Sequence, residues 1–260
     1  MRPQWIPLSK PRRLVNDLLY FAAGVPTVPV QRRMDVRALA EARSALDERP
    51  SWTAIFIKAY ARVSTEVPEL RRAYVKWPWA HLVEYPSPVA SVAVERDYEG
   101  ESAVLFGRVK DPGETPLLEL TRRLRTFAEA PVGEVKEFRR ALRTSRLPWP
   151  VRRLAWWVGL NSAKQRGHHF GTFGVSVYSA LGAESLHPLS PLTTLLNYGV
   201  IGPDGRVDVR VVYDHRALDG ATVARALGRL DGVLNGPILE EVRRLRTPAP
   251  AWTGEPRAAA

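Results

Sequence analysis

The chain has 260 residues, 45% of them hydrophobic, and this length is sufficient for one domain with a sizeable buried core. It contains no cysteine, which excludes disulfide bonds, cysteine-ligated zinc and a cysteine nucleophile, and which fits a cytoplasmic protein. The formal net charge of +11 is carried mostly by arginine and comes without a nucleic-acid-binding motif, so we expect no nucleic-acid partner.

The N-terminal part of the chain predicts a helix. Residues 1–5 lead into a charged stretch rather than an apolar signal sequence, and no run of 18 or more apolar residues occurs that could cross a membrane. Apolar residues recur at helical spacing from Trp52 to Val63, which predicts a helix with one buried face.

The middle of the chain alternates strand and helix signals. Residues 88–95 form a largely apolar run that predicts a buried strand. Thr115 and Pro116 precede apolar residues at helical spacing, which is typical of the start of a helix. Residues 194–201 predict a further strand, so the chain as a whole indicates a mixed α and β architecture.

A strand-to-helix transition follows in the C-terminal part. Residues 206–213 are rich in β-branched and aromatic side chains and come after a Gly/Pro turn, so they predict a strand that ends next to His215. Apolar residues at helical spacing after Asp219 predict a helix, and Asn235 and Gly236 are typical of its end.

The stretch 211–220 reads VVYDHRALDG and carries the most specific motif. The spacing His215-x-x-x-Asp219-Gly220 resembles the catalytic signature of the acyltransferase component of 2-oxo acid dehydrogenase complexes, in the chloramphenicol acetyltransferase-like superfamily. Relatives in the wider superfamily usually carry a second histidine immediately before the catalytic one. Here that position is Asp214, which favours the dehydrogenase-complex branch.

Other segments resemble the same family in the same order along the chain. The resemblance implies an opening helix at residues 7–14, a strand end followed by a helix at 34–39, a buried helix at 51–59 and a strand at 171–176. The resemblance implies an α/β fold of the chloramphenicol acetyltransferase type, with a mixed sheet flanked by helices in a single domain that forms trimers. We assign residues 1–246 to this catalytic domain and residues 247–260, rich in Pro and Ala, to a loose C-terminal tail.

The resemblance also implies a division of roles among polar residues. His215 would be the general base, because a histidine takes up a proton near neutral pH as the acceptor attacks the thioester carbonyl. Ser176 would stabilise the oxyanion from a neighbouring subunit, since the family places its active site between trimer subunits; Ser179 is the alternative. Asp219 would be architectural, paired with Arg12 of the first helix, and its alternative is a plain helix N-cap.

Residues 139–168 depart from the family, which has a short polar connection in this place. We interpret five of their side chains as an acceptor or substrate entrance: Trp149, Arg152, Arg153, Trp156 and Trp157. Basic residues beside tryptophans also suit peripheral contact with a membrane, and packing on the protein's own core or a neighbouring subunit is the alternative. His168 and His169 have no carboxylate or cysteine at ligand spacing, so we expect no metal site.

Three functions follow from the resemblance. Members from dehydrogenase complexes carry lipoyl domains ahead of the catalytic domain, whereas here the catalytic pattern begins close to Met1 and no lysine follows an aspartate. We therefore expect a stand-alone acyltransferase that moves an acyl group from a coenzyme A thioester, as substrate rather than bound cofactor, to a small molecule, lipid or carrier protein. The alternatives are the catalytic core of a 2-oxo acid dehydrogenase complex, which uses dihydrolipoamide, and a non-catalytic trimeric scaffold.

Overall fold

The computed structural model describes residues 3–246 of the chain as alternating helices and strands. The helices in this range are α1 (Lys10–Ala22), α2 (Arg37–Ser44), α3 (Trp52–Glu66), α4 (Leu117–Glu129), α5 (Lys136–Thr144), α6 (Trp149–Asn161), α7 (Ala163–His169), α8 (Gly220–Val233) and α9 (Leu239–Arg244). The strands are β1 (Thr27–Asp35), β2 (Arg72–Val75), β3 (His81–Glu84), β4 (Val89–Tyr98), β5 (Glu101–Lys110), β6 (Phe173–Val175), β7 (Thr194–Tyr198) and β8 (Arg206–Asp214).

The central sheet has six strands in the order β1-β8-β7-β6-β4-β5. Strand β6 is parallel to both of its neighbours, β4 and β7, whereas the other pairs are antiparallel. Strands β2 and β3 form a separate two-stranded sheet. The predicted mixed sheet flanked by helices is therefore confirmed.

The two faces of the sheet are packed differently. On one face, α3 lies against α4, α8 and β4, and Phe56 stacks on Tyr198 with 4.1 Å between ring centroids. Leu196 of β7 points to this face and is fully buried. Its neighbour Leu195 points to the other face, because side chains alternate along a strand, and there it meets α1 and α6. The predicted buried helix around residues 51–59 thus supplies the main core.

Two predicted helix starts are formed by serine caps. The Ser9 hydroxyl accepts a hydrogen bond from the Arg12 backbone N–H at 3.2 Å, and Pro11 occupies the first turn of α1. The Ser51 hydroxyl accepts from the Ala54 N–H at 3.1 Å at the start of α3. These local bonds explain why α1 and α3 begin where the sequence indicates.

The prediction of a helix end at Asn235 and Gly236 is wrong. Helix α8 continues through a π-helical turn, Leu234–Ile238, into α9. Pro237 lies inside this turn, and a proline has no N–H for the regular helical bond. The helix therefore widens into a π-helical turn at this point and does not end. Within residues 3–246, none of the helices combines the length and the apolar character that a membrane span needs. The predicted loose tail, residues 247–260, lies outside the described residues.

Candidate active site

His215 lies at the carboxyl end of β8, immediately after the last residue of that strand. Its backbone N–H donates to the Pro26 carbonyl at 3.0 Å, which fixes the main chain to the segment before β1. Its imidazole side chain is 50% exposed and packs 5.5 Å from the Tyr213 ring, centroid to centroid. The backbone is therefore held while the ring is open to a ligand.

The neighbours of His215 in the motif form a closed ion pair. The Arg216 guanidinium donates to both carboxylate oxygens of Asp214, at 2.9 and 2.8 Å, and the Arg216 backbone N–H donates to the same carboxylate at 3.0 Å. The guanidinium also lies 4.5 Å from the centre of the Tyr74 ring. Asp214 is fully buried, so this bidentate pair stabilises the turn that carries His215.

Asp219 has a different surrounding from the predicted one. It occupies the N-cap position of α8, but its side chain makes no capping hydrogen bond. Its carboxylate is 3.9 Å from Nδ1 of His215, and its side chain is 85% exposed. Arg12 is exposed and forms no ion pair with Asp219 within the described part of the chain. The predicted Arg12–Asp219 pair is therefore absent from a single copy, because the carboxylate turns along its own loop towards His215.

Ser176 follows β6 directly and is buried among three strands. Gly171 has a φ of +88°, and a Cβ there would meet the Val89 carbonyl oxygen at 2.7 Å, so a glycine is required where the chain enters β6. The Ser176 N–H donates to the Leu196 carbonyl at 3.2 Å, and the Asn197 side-chain amide donates to the Ser176 carbonyl at 2.6 Å. The backbone on both sides of the hydroxyl is thus fixed.

His215 and Ser176 lie at opposite ends of the sheet in one copy. Ser176 is level with Asn197 of β7, and Asn197 pairs with Arg210 of β8. His215 comes five residues after Arg210, which corresponds to roughly 17 Å along the strand direction. The two side chains cannot contact the same reacting atom within one chain.

A cavity of about 770 Å³ adjoins Ser176 on the second face of the sheet. Its floor is formed by alternate residues of β4, β5, β6 and β7, and its roof by α1, α5 and α6. Ser176 and Tyr178 are on its wall, whereas Ser179 and His215 are not among its lining residues. This arrangement favours Ser176 over Ser179 as the hydroxyl that meets a ligand.

The arginines of the predicted entrance are structural. Arg152 is buried and donates to the carboxylate of Asp17 in α1, and Arg153 lies 3.2 Å from the same carboxylate. The Arg153 guanidinium also stacks 3.8 Å from the Tyr20 ring centre. Asp17 is fully buried, so both cations are committed to it and anchor α6 on α1. The prediction that Arg152 and Arg153 belong to an acceptor or substrate entrance is therefore not met in the single chain, where both lie at Asp17.

The three tryptophans of the predicted entrance also have different roles. Trp156 is buried between Phe21 and Phe170, with ring centroids 6.0 and 5.0 Å away, and it also lines the cavity. Trp149 and Trp157 are exposed and do not line the cavity. The residues of α6 that do line it are Val151, Leu154, Ala155, Val158 and Gly159 beside Trp156. The segment does cover a cavity, but with its aliphatic face, because the helix turns its arginines to Asp17.

Two contributors to the site are not evident in the motif. Asn197 is fully buried and holds the Ser176 backbone; a lone amide within the apolar strand β7 is the signal that could have indicated it. Asp17 shows no comparable signal, since a helical aspartate is usually a surface residue. Within residues 3–246, no group of three or more His, Asp or Glu side chains is arranged to hold a metal ion.

No protein-family model matches the sequence, and no curated protein matches it. Solved structures do resemble the fold. A probable dihydrolipoamide acetyltransferase from Listeria monocytogenes 4b F2365 is 17% identical, with 90% of this chain and 94% of that one covered and a TM-score of 0.63. Dihydrolipoamide acetyltransferase from Azotobacter vinelandii is 18% identical over 92% and 94%, with a TM-score of 0.66. A truncated catalytic core of the 2-oxoacid dehydrogenase multienzyme complex from Thermoplasma acidophilum is 16% identical over 90% and 99%, with a TM-score of 0.63. The chain therefore has the fold of these catalytic cores, as the motif around His215 predicts.

Proposed function

We propose that this protein is an acyltransferase in which His215 is the general base. The observation that carries the proposal is the position of His215: its backbone is fixed at the end of β8, its ring is half exposed, and the chain has the fold of dihydrolipoamide acetyltransferase cores. Because Asp214 and Arg216 neutralise each other, the imidazole remains available to take a proton from an acceptor thiol, hydroxyl or amine.

The acyl transfer needs a donor for the oxyanion that forms when the acceptor attacks the carbonyl. Ser176 suits this role, since its hydroxyl makes no hydrogen bond within the described chain and its backbone is fixed by Leu196 and Asn197. The wide separation of Ser176 and His215 in one copy means that they act together only when two copies meet. This geometry supports a homotrimer or an assembly of trimers, in which each site combines two subunits.

The Azotobacter vinelandii structure supports the same residues. It comes from a crystallographic and enzymatic investigation of a serine, a histidine and an asparagine in the catalytic mechanism of that enzyme, and the asparagine comes four positions after the histidine. In this chain the fourth position after His215 is Asp219. Asp219 therefore belongs to the proposed site, with a carboxylate where that enzyme has an amide.

The acyl donor we propose is a coenzyme A thioester, and the acceptor is a small molecule, a lipid or a carrier protein. A second candidate is the catalytic core of a 2-oxo acid dehydrogenase complex with dihydrolipoamide as acceptor. The observation in its favour is that the compared structures with this fold include dihydrolipoamide acetyltransferases and the core of such a complex. In either case coenzyme A enters as a substrate and is not a resident cofactor.

The test is an acyl-transfer assay on the whole protein. It combines a panel of acyl-CoAs of different chain length with free dihydrolipoamide, small amines and alcohols, and detects products by mass spectrometry. Transfer to dihydrolipoamide above all other acceptors would favour the dehydrogenase-complex role, and transfer to another acceptor the stand-alone role. If no combination of acyl-CoA and acceptor gives a product, the proposal of an acyltransferase is contradicted and a non-catalytic scaffold is favoured.

A further inference from the structure

The sheet face beneath α1 and α6 is hollow because of its residue sizes. Side chains two residues apart share a face of a strand, and on β4 and β6 these positions are Ser91, Ala93, Gly174 and Ser176. All four are small. The Leu195 side chain covers Gly174, so the open floor of the cavity is formed mainly over Ser91, Ala93 and Ser176.

Aliphatic side chains of two helices border this space on the side opposite the sheet, and those of α6 are partly exposed, so the cavity is open to solvent. Helix α1 contributes Leu14 and Leu18, and α6 contributes Val151, Leu154 and Val158. The α6 residues are spaced by three and four positions, so they form one stripe of the helix. With about 770 Å³, the cavity has the size of sites that bind small molecules, and its walls are apolar.

The charged residues that line the cavity form pairs among themselves. Arg108 and Glu137 are 3.8 Å apart, and the Arg140 guanidinium donates to Nε2 of His169 at 2.9 Å. A guanidinium only donates, so Nε2 is the acceptor and the proton of the neutral ring is on Nδ1. Burial, and then the charge of Arg140, lower the pKa of His169 to about 4, so this ring is neutral at neutral pH. The charge of Arg140 is therefore not neutralised by this ring, and it borders the otherwise apolar lining of the cavity.

We infer that this cavity binds an apolar acyl chain of medium or long length, carried by the donor thioester. The inference rests on the proposed function, in which Ser176 binds the reacting carbonyl. Because Ser176 is on the cavity wall, an acyl chain attached to that carbonyl would extend between the small floor residues and the α6 stripe. Each methylene that leaves water contributes about 0.8 kcal/mol, which corresponds to roughly a fourfold gain in affinity. The affinity of the cavity should therefore depend on the length of the acyl chain.

The first experiment measures binding without turnover. Saturated fatty acids of about six to about sixteen carbons displace the fluorescent probe cis-parinaric acid from the intact protein, and their affinity should rise roughly fourfold per methylene until the cavity is full. In Ser91→Leu the new side chain occupies the floor, so the plateau should come at shorter chains and the longest chains should lose about tenfold or more in affinity. Leu154→Ala removes part of the roof at an exposed position, so it retains the fold if Ser91→Leu does not, and it should lower the affinity for long chains.

Trp157→Ala is the matched control, since Trp157 is on the same helix as Leu154 but does not line the cavity. It should bind every chain as the parent protein does. Affinities that are independent of chain length would overturn the inference, and so would equal changes in Leu154→Ala and Trp157→Ala. The inference would also be overturned if Ser91→Leu changed the oligomeric state but not the affinity for fatty acids. In that case a neighbouring copy of the protein, and not an acyl chain, would occupy the cavity.

The second experiment separates this inference from the proposed function. The same variants are assayed with acetyl-CoA and with long-chain acyl-CoAs. Transfer with acetyl-CoA alone, together with no chain-length dependence of binding, would overturn the inference and leave the acyltransferase intact. Chain-dependent binding without transfer from any thioester would retain the cavity as an apolar-chain site and contradict the proposed function. Transfer whose kcat/KM rises with chain length, and falls for long chains in Ser91→Leu, supports both.

Discussion

The two ends of the proposed site are held in place in different ways. His215 is positioned by its sequence neighbours Asp214 and Arg216 and by one backbone bond to the adjacent segment. The Ser176 side of the site depends on Asn197 and on a roof helix that is tied to Asp17, 135 residues away from Arg152. A short motif can thus fix a base, whereas a substrate wall needs contacts between distant parts of the chain.

The largest expected effect is at the His215 end. His215→Ala should lower turnover by about two to four orders of magnitude, the usual contribution of a general base, with an unchanged fold because the ring is half exposed. Steady-state kinetics and thermal melting followed by circular dichroism measure both quantities. His187→Ala is the control, since His187 bonds to the hydroxyl of Thr27, has no role in the proposed chemistry and should keep near-full activity. Comparable activity of the two variants would rule out His215 as the base.

The Ser176 end should show a somewhat smaller effect. Ser176→Ala should lower kcat by about two to three orders of magnitude with little change in KM, because an oxyanion donor acts in the transition state. Ser179→Ala is the matched control, as Ser179 does not line the cavity. An equal loss in Ser179→Ala would reassign the hydroxyl.

The same two variants test whether a site combines two copies. Refolding a 1:1 mixture of His215→Ala and Ser176→Ala should restore about a quarter of the parent activity if each site takes its histidine and serine from different subunits. A site within one chain would regain nothing in the mixture. Light scattering on the mixture confirms that the oligomers have formed.

The roof of the cavity provides a prediction on stability. Asp17→Ala leaves Arg152 and Arg153 without their buried partner, so the free energy of unfolding should fall by about 3–5 kcal/mol. Urea unfolding measures this change. Glu99→Gln, which breaks the exposed pair with Lys10, is the control and should leave the unfolding midpoint nearly unchanged. Equal midpoints for the two variants would show that α6 is not held through Asp17.

His169 makes the cavity edge sensitive to acid. Its pKa is lowered from 6.5 to about 4 in the folded chain, so between these values the unfolded chain binds more protons. Stability should therefore fall as the pH decreases from about 6.5 to about 4, and His169→Gln should remove this part of the dependence. Urea midpoints measured across that pH range check the sign. A dependence that is the same in both proteins would contradict the neutral state of His169.

The smallest effect is expected at Asp219. Its side chain is 85% exposed and its carboxylate lies 3.9 Å from Nδ1 of His215, so Asp219→Asn should change the free energy of unfolding by less than about 0.5 kcal/mol. In a double-mutant cycle measured by urea unfolding, the effects of Arg12→Ala and Asp219→Asn on the free energy of unfolding should be additive. A coupling between the two variants would mean that Arg12 and Asp219 meet across copies in the oligomer.

The sequence by itself indicated several elements and a candidate base. The apolar periodicity of α3 and the strand that ends at Asp214 are local signals, and both elements lie within a few residues of their predicted places. The order of the weak family segments indicated the mixed sheet, and the motif indicated His215. These features depend on bonds within a few residues, which a linear pattern contains.

The tertiary structure alone decided what the insert does. The pattern of residues 149–157 shows tryptophans and arginines but does not show which of them meets a partner, since the helix can turn any face to the sheet. Burial of Asp17 selected the face with Arg152 and Arg153, because a buried carboxylate is stable only beside cations. That choice turned the aliphatic stripe of α6 to the small residues Ser91 and Ala93, and a cavity with apolar walls resulted.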